Sequence, residues 1–111
     1  MATRLYFVIN IGTGDTVGFT VPAGEKYKVT AANSLNDTGA SVNYDAYNSP
    51  DDTSASGDKV ASDLYLAAGD SSPLSEILGQ SYTAGRRLIL VATAVGINLS
   101  ITYTKYTGDD V

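Results

Sequence analysis

Three aspartates, Asp51, Asp52 and Asp58, fall within the stretch Asn48–Asp58, which also holds Pro50, Ser49, Thr53, Ser54 and Ser56. Loop carboxylates at that density, or the pair Asp109 and Asp110 near the C-terminus, are ligand types that calcium takes. Neither group has EF-hand spacing or an Asp-rich repeat, so both read as solvated acids, and no metal is expected. Glycoside hydrolysis needs two carboxyl groups about 5–10 Å apart. Asp45 with Asp63 or Glu76 is the pairing the chain offers, and nothing around these residues sets them apart. Gly12-Thr13-Gly14 is glycine-rich like a phosphate cradle, but such a loop opens a helix whose N-terminus holds the anion, and here a strand pattern follows. No catalytic residue and no cofactor site are expected.

Composition narrows the chemistry further. The 111 residues include no Cys and no His. That removes disulfides, thiol nucleophiles, zinc fingers and imidazole bases or ligands. With 7 Lys plus Arg against 12 Asp plus Glu, the net charge is −5, opposite to the basic footprint that nucleic acid requires. No stretch approaches the ~18 apolar residues of a membrane helix, and the N-terminal ten residues lack the layout of a secretory signal. The expectation is a soluble, non-enzymatic single domain over residues 1–111, with neither nucleic acid nor membrane as partner.

What remains is recognition by surface. Eight Tyr against two Phe and no Trp is a balance that suits interfaces, because Tyr joins apolar area to a polar tip. By alternation Tyr44 and Tyr103 share the core faces of their strands, while Tyr47 and Tyr106 have the opposite parity and become interface candidates. Arg4 and Tyr6 join them on an N-terminal strand suited to adding to a neighbour's sheet edge. Arg86 and Arg87 precede the most apolar strand; they read either as partners for acids or as charges that keep that strand from aggregating.

The elements that must position these residues are strands. Residues 96–105, GINLSITYTK, alternate apolar and polar almost without a break. That is the period of a half-buried strand. The same period places Leu5, Phe7 and Ile9, then Val17, Phe19 and Val21, then Tyr27, Val29 and Ala31, and then Val42, Tyr44 and Ala46 toward a core. Leu88–Ala92 is apolar on both faces, as a central covered strand would be, and Val60–Ala67 is a further strand. Turns are expected at 10–15 and 33–39, with one long loop at 48–58. Only 73–79 has a helical pattern, amounting to one short turn. Three segments, Val21-Pro22-Ala23-Gly24, Leu66-Ala67-Ala68-Gly69 and Tyr82-Thr83-Ala84-Gly85, share one form and read as a corner in which Gly takes positive φ. Together these predict an all-β, antiparallel, jelly-roll-like β-sandwich of about 7–8 short strands, with residues 1–3 as an N-terminal arm and 107–111 as a flexible tail.

Phe19–Thr30 (FTVPAGEKYKVT), Leu64–Asp70 (LYLAAGD), Tyr82–Gly85 and Ala94–Tyr103 (AVGINLSITY) resemble the strand and corner signatures of small bacteriophage virion proteins. Arg86-Arg87 stands where that group commonly has Asp, and the 48–58 loop is longer. The resemblance implies a β-sandwich with no catalytic residues, serving as a capsid decoration (cement) protein, head fibre or tail accessory. Its implied partners are a major capsid or other virion protein and itself, as dimer or trimer; its place is the virion, after synthesis in the host cytoplasm. The alternative is a tail-fibre or receptor-binding module that recognises cell-surface glycan through the 48–58 loop and Tyr47. Against it, that loop holds no aromatic residue.

Overall fold

Alternating side chains oblige each strand to bury one face, and the nine strands among the described residues do so by forming two antiparallel sheets. The structure, a computed structural model, describes residues 2–54, 58–73 and 78–108. The strands are β1 (Ala2–Ile11), β2 (Thr16–Thr20), β3 (Glu25–Asn36), β4 (Val42–Ser49), β5 (Lys59–Leu66), β6 (Ser71–Pro73), β7 (Ser81–Thr83), β8 (Arg87–Ala92) and β9 (Ile97–Thr107). One sheet runs β1-β9-β3-β6, with β7 also on β3; the other runs β2-β8-β4-β5. The pairs are nested: β4 with β5, β3 with β6 and β7, β2 with β8, and β1 with β9. The chain is thus one long antiparallel ribbon, and the pairings of β3 with β9 and β4 with β8 roll it into a jelly roll. Strands of ten to twelve residues in the first sheet set the long axis of a molecule measuring 46 × 25 × 18 Å.

The core lies between the sheets. Val29, Ile97, Leu99, Ile101, Leu88 and Leu90 are fully buried, and Val21, Val42 and Tyr44 nearly so. Phe19 is the hub of an aromatic cluster, with its ring centroid 4.9 Å from Tyr82, 5.2 Å from Tyr27, 5.3 Å from Tyr103 and 6.3 Å from Phe7. Much of the tyrosine excess therefore goes into packing. Offset and edge-on ring pairs of this kind add about 0.5–1.5 kcal/mol each beyond their buried area.

The three corners adopt the same turn. Glu25 N–H donates to Pro22 O, Asp70 N–H to Ala67 O and Arg86 N–H to Thr83 O, at 3.3, 3.0 and 3.0 Å. The glycine third in each turn has φ of 80°, 74° or 85°. This is the positive φ that type II geometry demands. The residue that leads each corner, Val21, Leu66 or Tyr82, is an anchor in the core.

Several expectations change. Residues 2 and 3 are not an arm, because Ala2 pairs with Tyr106 and Thr3 with Lys105. Thr107, expected in a tail, pairs with Glu25 at the end of β9, while 109–111 lie outside the described residues. A register shift at Gly18 turns Val17 to the opposite face from Phe19, where strict alternation had placed both inward. A shift at Thr30 likewise brings Ala32, Ser34 and Asn36 inward instead of Ala31, so β3 continues to Asn36 through the expected turn at 33–39. Two strands of three residues, β6 and β7, were too short to show a period. Residues 74–77, the middle of the candidate helical turn, lie outside the described residues.

Candidate functional site

Even-numbered residues of β1 point away from the core, and the unbroken pairing with β9 places Ala2, Arg4, Tyr6, Val8 and Asn10 opposite Tyr106, Thr104, Thr102, Ser100 and Asn98. Three of the expected interface residues, Arg4, Tyr6 and Tyr106, therefore share one outer face. Tyr6 is 65% exposed and Val8 58%. Tyr106 lies under the Lys26 ammonium, 5.0 Å from Nζ to the ring centroid. The Asn10 amide donates to Asn98 Oδ1 at 2.9 Å. Val8 belongs to this surface by the same alternation that selected Tyr6, and was not singled out.

The other expected residues lie apart, at the far sheet. Tyr47 does have the opposite parity from Tyr44, but it is only 8% exposed. Lys59 Nζ lies 5.6 Å from its ring centroid, and its hydroxyl donates to Asp45. The chain leaving β4 explains the cover: it crosses toward the start of β2, where Ser54 donates to Asp15 from both N and Oγ. Ile89, on Tyr47's side of its strand, is fully buried.

Arg86 and Arg87 hold that crossing segment. Arg87 donates to Asp52 Oδ1 at 2.6 Å, Pro50 O at 2.8 Å and Gly85 O at 2.6 Å. Arg86 donates to Asn48 O at 3.1 Å and pairs with Asp58 at 3.6 Å. Asp51 accepts from the Thr53 N–H and hydroxyl, and these bonds hold its carboxyl below the usual carboxylate range. The loop acids thus fold the loop. Among the described residues no three Asp or Glu side chains are grouped to hold a metal ion. Asp45 pairs with Lys59 at 3.4 Å, and Glu76, one of the acids the sequence offered with Asp45 for hydrolysis, lies outside the described residues.

An open recess of about 400 Å³ beside Arg86 is lined by Asn48, Asp58, Lys59, Val60 and Thr83. Its opposite charges are matched within the chain by the Arg86–Asp58 and Lys59–Asp45 pairs. Among the described residues that line it, none is aromatic, so none offers the platform that a sugar ring would stack on.

No protein-family model matches the sequence, and no curated protein matches it. In three dimensions the chain is similar to a subunit from a solved structure described as "Bacillus endospore appendages form a novel family of disulfide-linked pili". The TM-score is 0.51 with 14% identity, over 96% of this chain and 87% of that one, a likeness of fold.

Proposed function

We propose that this chain is a non-enzymatic structural subunit that works in many copies on the outside of a larger assembly. The observation that carries this reading is the outer face of β1 and β9, where Tyr6 and Val8 stand exposed beside Arg4 and Tyr106. A surface of that kind, repeated over many copies, binds through avidity without tight single contacts. The acids of the 48–58 loop are engaged within the chain, Asp52 by Arg87, Asp58 by Arg86 and Asp51 by Thr53, which leaves that loop suited to structure rather than to holding a glycan.

The corner and strand signatures favour a bacteriophage virion as the assembly, with the head surface as the site and the major capsid protein as partner. The fold likeness supports a second reading, a subunit of a pilus-like surface appendage. The subunits of that neighbour are described as disulfide-linked, whereas this chain has no Cys, so its contacts in such a fibre would be non-covalent.

Electron microscopy separates the readings. Tagged protein is added to purified phage particles and, in parallel, imaged alone. A regular lattice of tag over the head supports decoration. Filaments formed by the protein alone support the appendage. A monomer that binds no particle and forms no filament overturns the structural role, and binding to glycans by that monomer would put receptor recognition in its place.

A further inference from the structure

Sheet edges invite pairing with foreign strands, and proteins guard them with bulges, Lys, Pro or short length. Among the described residues every edge but one is guarded. β2 has five residues and a register shift at Gly18. β5 shifts register twice against β4 and begins with Lys59. β6 and β7 have three residues each, and β6 ends in Pro73. β1, by contrast, runs ten residues in unbroken register along β9, with no Pro, Lys or shift, and no strand lies on its other side. It also carries the two most exposed large apolar side chains of its sheet, Tyr6 and Val8.

We propose that β1 pairs antiparallel with β1 of a second copy about a two-fold axis, fusing the two outer sheets into one. The proposal rests on the reading of the chain as a multi-copy subunit and names the surface that joins copies. Face alternation restricts the register: a slip of one residue would set the inward Phe7 opposite an outward Tyr6 or Val8 of the partner and put the two cores on opposite sides of the joined sheet. Of the allowed registers, the one with Phe7 on the axis sets Tyr6 against the partner's Val8 and Arg4 against the partner's Asn10. Apolar then meets apolar, and guanidinium meets amide. Moving the axis to Tyr6 would set Arg4 against Val8, and moving it to Val8 would set Tyr6 against Asn10. Charge agrees. β1 has no carboxylate in a chain of net charge −5, and its one cation is Arg4. In this register the two copies of Arg4 stand six residues apart along the strand, about 20 Å, beyond the ~8 Å screening length at physiological salt.

The absence of Cys makes cross-linking a clean test. Tyr6→Cys and Val8→Cys chains are mixed under mild oxidation. The expected product is the mixed dimer alone, because identical positions are diagonal neighbours, beyond the ~7 Å Cα separation a disulfide spans. Light scattering should give the mass of a dimer for the unmodified chain and half that mass for Val8→Lys. Tyr65→Lys, on the exposed face of β5, should remain dimeric. A monomeric unmodified chain, a dimer that survives Val8→Lys, or cross-linking of Tyr6→Cys with itself would overturn the pairing. Val8→Lys protein that is dimeric and still decorates particles or forms filaments overturns only this edge. Unmodified protein that dimerises yet neither decorates nor forms filaments keeps the edge and removes the assembly role.

Discussion

The Tyr44 hydroxyl, on β4, donates to Ser34 Oγ, on β3, at 3.0 Å, and so joins the two sheets through the interior. Ser34 is fully buried and Tyr44 is 3% exposed. In a low-dielectric core such a bond contributes about 1 kcal/mol net. Tyr44→Phe keeps the ring and removes the donor, so the melting temperature should fall by roughly 4–6 °C for a domain of this size. Tyr44→Phe combined with Ser34→Ala should cost less than the two single changes added, since both remove one interaction. Thermal melts of the four proteins check this; strict additivity would show that the two hydroxyls do not act as a pair.

Gly96 and Thr38 meet at the end of the roll. Asp37 N–H donates to Gly96 O, and the Thr38 hydroxyl bonds Asn36 Oδ1 and Ala40 O. Gly96 has φ of 114°, and a Cβ there would fall 2.1 Å from Thr38 Cγ2. Gly96→Ala should therefore suffer twice, from the backbone and from the clash, with a loss of about 2–4 kcal/mol. Thr38→Ser keeps the hydroxyl and removes the methyl. In that background Gly96→Ala should lose only the backbone part, about 1–2 kcal/mol. Denaturant melts of the four-protein cycle would show this coupling; equal losses in both backgrounds would place the whole cost in the backbone.

The residues that were legible and those that were not differ in where their partners lie. β9 declared itself because Ile97, Leu99 and Ile101 all meet one core, so a period of two suffices. The corners declared themselves because positive φ selects Gly locally. The second half of β3 did not, because its inward residues Ser34 and Asn36 are polar. Tyr44 bonds Ser34, and the Asn36 amide donates to the carbonyls of Ala40 and Leu66, the latter 30 residues away. On the candidate surface, parity placed Arg4, Tyr6 and Tyr106 outward, but only the register of β1 on β9 brings them onto one face. Parity was also right for Tyr47 relative to Tyr44. It gave no sign that the segment tied to Asp15 would close over that face.

Arg87 should be the clasp of the crossing loop rather than a source of global stability. Its partner Asp52 is 71% exposed, and exposed ion pairs contribute about 0–1 kcal/mol. Its geometry is specific, however: Nε reaches Asp52 while Nη1 reaches two carbonyls. Lysine cannot reproduce that fork. Arg87→Lys should leave global stability within about 1 kcal/mol while raising the rate of limited proteolysis between Pro50 and Ser54. Cleavage at the unmodified rate would mean that the Ser54–Asp15 contacts hold the loop without it.

High pH should act through the aromatic cluster. Burial, reinforced by a hydrogen bond and charge from Glu25, pushes the Tyr27 phenol up to about 12, and burial raises Tyr103 and Tyr82 as well. A phenol whose folded pKa lies above its unfolded value favours folding while it stays neutral. That contribution is whole below about pH 10, the unfolded value, and for Tyr27 is lost as pH rises through about 12. Melting temperature should therefore fall steeply above about pH 10. Tyr82 isolates the effect. Its hydroxyl is buried with no hydrogen-bond partner among the described residues, so removing it takes away a desolvated group rather than a bond. Tyr82→Phe should leave neutral-pH stability unchanged or higher, within about 0.5 kcal/mol, and should flatten the alkaline fall. A Tyr82→Phe protein that melts lower at pH 7 by the equivalent of about 1 kcal/mol or more would show that the hydroxyl is bonded in solution.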